Sequence, residues 1–278
     1  MKLASFTSPT GNGVAVDVDG VLYFTGYKNL LEFIGDGAEA HTAAESAVES
    51  RRVVSDTHVG APLYNPSKML FCGLNFKTHI NELPGAETPE EPFFFSKLPS
   101  SIIGPGEPII LPFETSQVDW EVEVAAILGT RARNVTETEA EECIFGYTVV
   151  NDISSREIQF KDSQITLGKG LDGHCPMGPV VVTRDEIPDS NHLIARCWVN
   201  GELVQEANTD DLLFSFPFLI SWLSRAITLE PGDIITTGTP AGVGTFMDPP
   251  RYLADGDEVT VSVDAIGDLT NPVVAGWA

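Results

Sequence analysis

Two glutamates stand two residues apart in the run Asp119-Trp120-Glu121-Val122-Glu123-Val124-Ala125-Ala126-Ile127-Leu128, which Gly129 closes. The run is rich in Val and Ile and reads as a strand over residues 121–128. Side chains on a strand alternate faces, so Glu121 and Glu123 point the same way. Neighbouring carboxylates repel each other unless a proton or a cation lies between them. A hard divalent cation with oxygen ligands answers that repulsion; an edge strand with a solvated acidic face would carry the same pair. A third acid, Asp152, follows Val149-Val150-Asn151, where a strand gives way to a loop. Loops at strand ends often hold functional groups, although an Asx-turn or helix cap also places an acid there. Together Glu121, Glu123 and Asp152 offer three oxygen ligands and leave positions for water and substrate, a donor set that suits Mg²⁺ or Mn²⁺.

His79 and Glu82 lie three apart in Gly73-Leu74-Asn75-Phe76-Lys77-Thr78-His79-Ile80-Asn81-Glu82. Residues at that spacing meet on one helical turn. A carboxylate there orients the imidazole and raises its basicity, giving a general base for water; a surface contact has the same spacing. Lysines are scarce, and two of the seven sit in unusual settings. Lys97 follows the aromatic run Phe93-Phe94-Phe95, and Lys169 lies between Gly168 and Gly170. The glycine-dense loop over 236–244 lacks the Gly-Lys-Ser/Thr ending of a P-loop and does not match the dinucleotide fingerprint. It reads as a turn whose backbone approaches a ligand, with Thr239 able to hydrogen-bond a carboxylate, or as a plain tight turn.

The elements that must position these residues are short strands broken by Gly and Pro, over 69–72, 93–95, 121–128, 147–150, 180–183, 194–199, 233–237 and 258–263. Such a pattern predicts an α+β, mainly β fold with a rolled or sandwiched sheet. One helix follows the capping-box pattern Thr136-Glu137-Thr138-Glu139 and runs to about 145; another spans 217–226. Residues 1–63 form a small N-terminal support domain with a strand over 21–24 and a helical stretch over 38–52, and 64–278 the catalytic domain. The net charge of −24, from 40 acids against 16 bases, argues against nucleic acid and anionic membranes as partners. No apolar run reaches transmembrane length, and the N-terminus lacks the pattern of a secretory signal, so a soluble, cytoplasmic protein is expected. The four cysteines are widely spaced without a Cys-x-x-Cys pair and are expected to be buried free thiols.

These segments occur in an order that resembles the fumarylacetoacetate hydrolase family over roughly residues 66–278. The resemblance rests on Gly-Leu-Asn-Phe-x-x-His-x-x-Glu (73–82), Phe-Ser-Lys (95–97), Val-Asp-Trp-Glu-Val-Glu (118–123), Gly-Tyr-Thr-Val-Val-Asn-Asp-Ile-Ser-Ser-Arg-Glu-Ile-Gln (146–159), Gly-Lys-Gly-Leu-Asp (168–172), Met-Gly-Pro (177–179), Leu-Glu-Pro-Gly-Asp-Ile-Ile-Thr-Thr-Gly-Thr-Pro-Ala-Gly-Val-Gly (229–244) and Gly-Asp (256–257). The family implies a mixed β-roll with a Mg²⁺ or Mn²⁺ site, in a homodimer. By position, Glu121, Glu123 and Asp152 match its metal carboxylates. His79 and Glu82 match its catalytic dyad on a mobile lid; Lys169 matches a polar residue around the substrate and is expected to act in catalysis by balancing negative charge or reprotonating carbon. Lys97, Arg156, Gln159 and Thr239 match polar residues around the substrate. Phe76 replaces the usual Tyr, Ile165-Thr166-Leu167 a frequent Trp, and Leu171 a frequent Phe, departures that bear on specificity.

The activity this resemblance implies is metal-dependent hydrolysis of a C–C bond in acylpyruvate-type 2-oxo acids, with fumarylpyruvate of aromatic catabolism as a candidate substrate. The alternative on the same scaffold is an oxaloacetate decarboxylase or an enol–keto isomerase of 2-oxo diacids. Both use the same metal and enolate, so the acids do not discriminate between them. A non-catalytic relative is the third reading, and the retention of all three acids and the dyad argues against it.

Overall fold

Val122–Leu128 is the strand around which the protein is organised, and it is fully buried on both faces. Its even-numbered residues, Val122, Val124, Ala126 and Leu128, join one apolar cluster with Trp120, Cys197 and Val261. Ala125 and Ile127 join a second cluster with Phe33, Phe71 and Met177. Strands covered on both sides read as continuous apolar runs, and each large side chain so buried contributes about 1.5–3 kcal/mol. Glu123 breaks that run on the odd-numbered face.

The computed structural model describes residues 1–278 except Thr10, Pro84, Asp162, Trp277 and Ala278. The fold is α+β and mainly β, as expected. Among the described residues an 11-stranded sheet runs in the order Val21–Phe24, Gly11–Val18, Lys2–Ser8, Cys175–Thr183, Ile144–Asn151, Val122–Leu128, Ile234–Thr236, Met69–Gly73, Phe93–Ser96, with two short strands paired off this path. A 5-stranded sheet runs Glu202–Asn208, Ile194–Val199, Glu258–Val263, Gly267–Ala275, Ile109–Leu111. The first apolar cluster lies between these two sheets. Lys2–Ser8 pairs antiparallel with Cys175–Thr183, so the N-terminal strands extend the large sheet. Helices Leu30–Asp36 and Ala38–Glu49 pack on it through Phe33, Ile34, Ala40 and Ala44.

Register places the acids. Val122–Leu128 pairs antiparallel with Ile144–Asn151, Val122 opposite Asn151 and Glu123 opposite Val150. Asp152 therefore emerges beside Glu121, and its N–H donates to the Glu121 carbonyl at 2.8 Å. The connection carries helix Glu137–Glu142 with the expected capping box between Thr136 and Glu139; it stops before 145 because Ile144 already belongs to the next strand. On its other edge Val122–Leu128 pairs with Ile234–Thr236 only over residues 125–127. Beyond that point side chains satisfy the strand: Thr237 Oγ1 accepts from Val124 N–H at 3.1 Å and Gln205 Oε1 from Val122 N–H at 3.0 Å. All four cysteines are free and buried. Among the described residues no helix is long and apolar enough to cross a membrane.

Candidate active site

Glu121 immediately precedes the central strand and Glu123 lies on it; both side chains face the same side, with Asp152 from the neighbouring strand end. One carboxylate oxygen from each of the three lies within 4.8 Å of the others, and all three residues are buried. Cations surround them. Lys169 Nζ donates to Glu121 Oε2 at 2.8 Å and to Asp152 Oδ2 at 2.7 Å. Lys97 Nζ donates to Asp152 Oδ1 at 2.6 Å and to the Ile153 carbonyl at 3.0 Å. Arg156 spans Glu121 Oε1 at 2.7 Å and Asp119 Oδ2 at 2.8 Å.

The neighbours act on the carboxyls in opposite senses. Burial raises the pKa of Glu121, but the charges of Lys169 and Arg156 outweigh it and hold the group well below the usual carboxylate range. Burial, then the charges of Asp152 and Glu121, push Glu123 far above that range. Glu123 Oε2 is buried and has no hydrogen-bond partner among the described residues. Four buried acids, Asp119 included, meet three buried cations. A buried carboxylate oxygen without a donor is costly, and a cation satisfies it. The triad therefore fits a divalent metal on donor chemistry and on charge.

Opposite the triad stands the dyad, on helix Lys77–Glu82. Six residues are too few for a helix that stands alone, and this one is held from outside. The side chain of its cap residue, Phe76, makes no capping bond, but Asp211 Oδ2 accepts from Thr78 N–H at 2.9 Å and from Thr78 Oγ1 at 2.7 Å. The buried Asn75 amide donates to the carbonyls of Phe214 and Thr237 and its oxygen accepts from Phe214 N–H. At the other end Glu82 Oε2 accepts from Gly242 N–H at 3.0 Å, and Glu82 Oε1 lies 2.6 Å from His79 Nδ1. An ionised carboxylate only accepts, so it holds the Nδ1–H tautomer and leaves Nε2 as the basic nitrogen.

His79, Glu121, Glu123, Arg156, Gln159, Lys169 and Thr239 line one cavity of about 230 Å³, walled on its apolar side by Phe93, Phe95 and Phe246 among others. Asp152 reaches it through the triad and Glu82 through His79. Lys97 stands apart: it is fully buried behind Asp152 and is not a wall of the cavity. Two organising residues escaped the sequence reading. Asp119 accepts from Gly244 N–H, Thr245 N–H and Arg156 Nε, so it fixes both the glycine loop and the guanidinium. Gln205 ties the central strand to that loop. Asp119 sits inside the quoted motif, where its invisibility was one of role; Gln205 carries no local signal.

A β-rich α+β protein with a buried acid triad, able to hold a divalent metal beside a His–Glu dyad, is the class that fold and site define. The chain belongs to the fumarylacetoacetate hydrolase family: the fumarylacetoacetate (FAA) hydrolase C-terminal model matches residues 68–274. It is 43% identical over 250 residues to the mitochondrial oxaloacetate tautomerase fahd2 of Xenopus laevis, covering 88% of this chain and 78% of that one. It is 41% identical over 260 residues to the oxaloacetate tautomerase YisK of Bacillus subtilis (strain 168), covering 88% and 86%. Among solved structures, the fumarylacetoacetate hydrolase of psychrophilic Exiguobacterium antarcticum superposes with a TM-score of 0.88 at 38% identity, covering 99% of this chain and 100% of that one.

Two expectations are corrected by these relatives. Both the Xenopus and the Bacillus relative are oxaloacetate tautomerases, which overturns the reading of the chain as a C–C bond hydrolase and its assignment to aromatic catabolism. The physical reason is that a cation held by the acid triad would stabilise an enolate, and a His–Glu dyad would supply a base, whether or not a C–C bond then breaks. The cytoplasmic expectation falls as well, since the Xenopus relative is mitochondrial. Net charge, and the lack among the described residues of a helix long and apolar enough to cross a membrane, do not specify a compartment.

Proposed function

We propose that this protein interconverts the enol and keto forms of a short 2-oxo diacid of the oxaloacetate type. One observation carries the reading: a buried acid triad and a His–Glu dyad line or flank the same cavity. The names of the relatives support it. The isomerisation moves one proton between C3 and the oxygen on C2. His79 exchanges the C3 proton through Nε2, with Glu82 holding the ring. Lys169 offsets negative charge on the enolate oxygen. Arg156 Nη1 donates to Gln159 Oε1 at 3.0 Å, which leaves the Gln159 amide N–H groups free for substrate oxygens. Thr239 adds a hydroxyl. Glu121, Glu123 and Asp152 would hold Mg²⁺ or Mn²⁺, which suit an all-oxygen site. A cation there supplies Lewis-acid stabilisation of the enolate.

Residues 1–63 serve in this reading as a support domain. Pairing into a homodimer belongs to this reading, and light scattering tests it. The activity is tested by following the ultraviolet decay of enol oxaloacetate with Mg²⁺ or Mn²⁺, alongside a pyruvate assay for decarboxylation. Acceleration that chelator abolishes, and that His79→Ala lowers by about two orders of magnitude, is expected. Enol decay at the buffer rate with the metal-loaded wild type would sink the proposal.

A further inference from the structure

Gln205 is a side chain without a part in the chemistry above, yet it is 2% exposed and every polar atom of its amide is used. It lies on strand Glu202–Asn208 of the smaller sheet and reaches across to the large one. Its Oε1 accepts from Val122 N–H, between the two metal-facing glutamates. That bond fixes which way the amide points, because a backbone N–H needs an acceptor. Nε2 must then face the glycine loop, where it donates to Thr239 Oγ1 and to the Pro240 carbonyl, both at 2.9 Å. The loop lies hard against this strand: a side chain at Gly242 would meet the Val204 carbonyl at 2.1 Å.

The consequence falls on Thr239, a wall of the cavity that is 4% exposed. A hydroxyl has one proton and two lone pairs. With Gln205 occupying a lone pair, the proton cannot be returned to the amide nitrogen and is free for an acceptor in the cavity. We infer that Gln205 is a positioning residue that makes Thr239 an obligate hydrogen-bond donor to a carboxylate oxygen of the substrate; this rests on the 2-oxo acid reading above. Gln205 touches no substrate. It sets the polarity of a group that does, and so favours the ionised acid over an ester or amide of the same shape.

The test compares wild type, Thr239→Val, Gln205→Glu and the double variant. Glutamate keeps the acceptor for Val122 N–H but gives Thr239 an acceptor in place of a donor, so the hydroxyl turns away from the cavity. The readouts are KM and kcat for enol oxaloacetate with Mn²⁺, and the Kd of oxalate by calorimetry. Each single variant should raise KM and the oxalate Kd about tenfold, with kcat within about threefold, since a hydrogen bond to a charged group is lost. The double variant should be no worse than either single one, and Thr239→Ser should restore wild-type values. Should Gln205→Glu fail to fold, Gln205→Met, which removes the donor to Thr239 and also the acceptor for Val122 N–H, is measured with Thr239 and in the Thr239→Val background: a rise in KM and oxalate Kd seen only with Thr239 supports the inference, and an equal rise in both overturns it. Additive losses in the double variant, or unchanged KM and Kd in Gln205→Glu, overturn the inference. A wild type that binds oxalate without tautomerising oxaloacetate removes the proposed activity, while the oxalate Kd series still decides the role of Gln205. A wild type that binds no oxalate overturns both.

Discussion

Gly168→Ala gives a prediction whose sign is decided by the packing. Gly168 lies in the short helix Thr166–Lys169, and its φ is not in the left-handed region. On backbone grounds alone, alanine there should stabilise the protein by about 1 kcal/mol, because glycine is the poorer helix former. The space forbids it. A Cβ at Gly168 would stand 2.5 Å from both N and Cα of Gln159 and 2.6 Å from its Cβ. Two are backbone atoms of the helix Arg156–Gln159 and the third is the Cβ fixed to it, so no flexible tip can swing aside. The two short helices must separate by about 1 Å, and overpacking of this kind costs about 1–3 kcal/mol. At a shift of about 2–4 °C per kcal/mol for a chain of this size, the melting temperature should fall by about 2–12 °C. Catalysis should fall further than stability requires, since the separation moves Lys169 relative to Gln159 and Arg156. Calorimetric melting and kcat/KM at 25 °C measure the two effects. A variant that melts at or above the wild-type temperature refutes the close packing of the two helices, and with it the reason for glycine beside Lys169.

Glu123→Gln keeps shape but removes a ligand charge: Mn²⁺ affinity by calorimetry should fall about a hundredfold, while the metal-free variant melts no lower than wild type because repulsion from Asp152 and Glu121 is gone. Mn²⁺ affinity within threefold of wild type would remove Glu123 from the metal set. His174 is fully buried, its Nε2 lies 3.0 Å from the Ile110 carbonyl, and burial pulls its pKa from 6.5 down to about 3. The unfolded chain therefore binds a proton that the folded chain refuses between those values, so stability is full above pH 6.5 and is lost as pH falls toward 3, by about 2 kcal/mol at pH 5. His174→Gln should flatten that part of a urea-denaturation profile by this amount, and an unchanged acid limb would show that the ring is solvated.

What the sequence made legible follows from the range of each signal. The triad could be read because strand periodicity relates Glu121 to Glu123 and a neighbouring strand end presents Asp152. The dyad could be read because three residues make one helical turn. Lys97 was expected beside the substrate and lies behind Asp152 instead, because the face on which a residue just past an edge strand lands depends on tertiary pairing. Asp119 and Gln205 act on partners far along the chain: Gly244 is 125 residues from Asp119, and Val122 is 83 from Gln205. No local pattern encodes such bonds.

The misread reaction has the same origin. Hydrolysis of an acylpyruvate and tautomerisation of a 2-oxo diacid share an enolate, and in either reading the residues with strong sequence signals would serve that shared species. What separates the outcomes is whether the base reaches a water or a carbon-bound proton. That depends on the surroundings of His79, which is 8% exposed, with its ring 6.2 Å from that of Phe246, in a cavity walled by Phe93 and Phe95. Phe93 and Phe95 lie on the strand that follows the dyad helix, and Phe246 far along the chain, so only the fold brings them round the ring. A base shielded in this way is better placed to exchange a proton with bound substrate than to activate bulk water, so under the proposed activity the apolar wall, rather than the acids, would favour isomerisation.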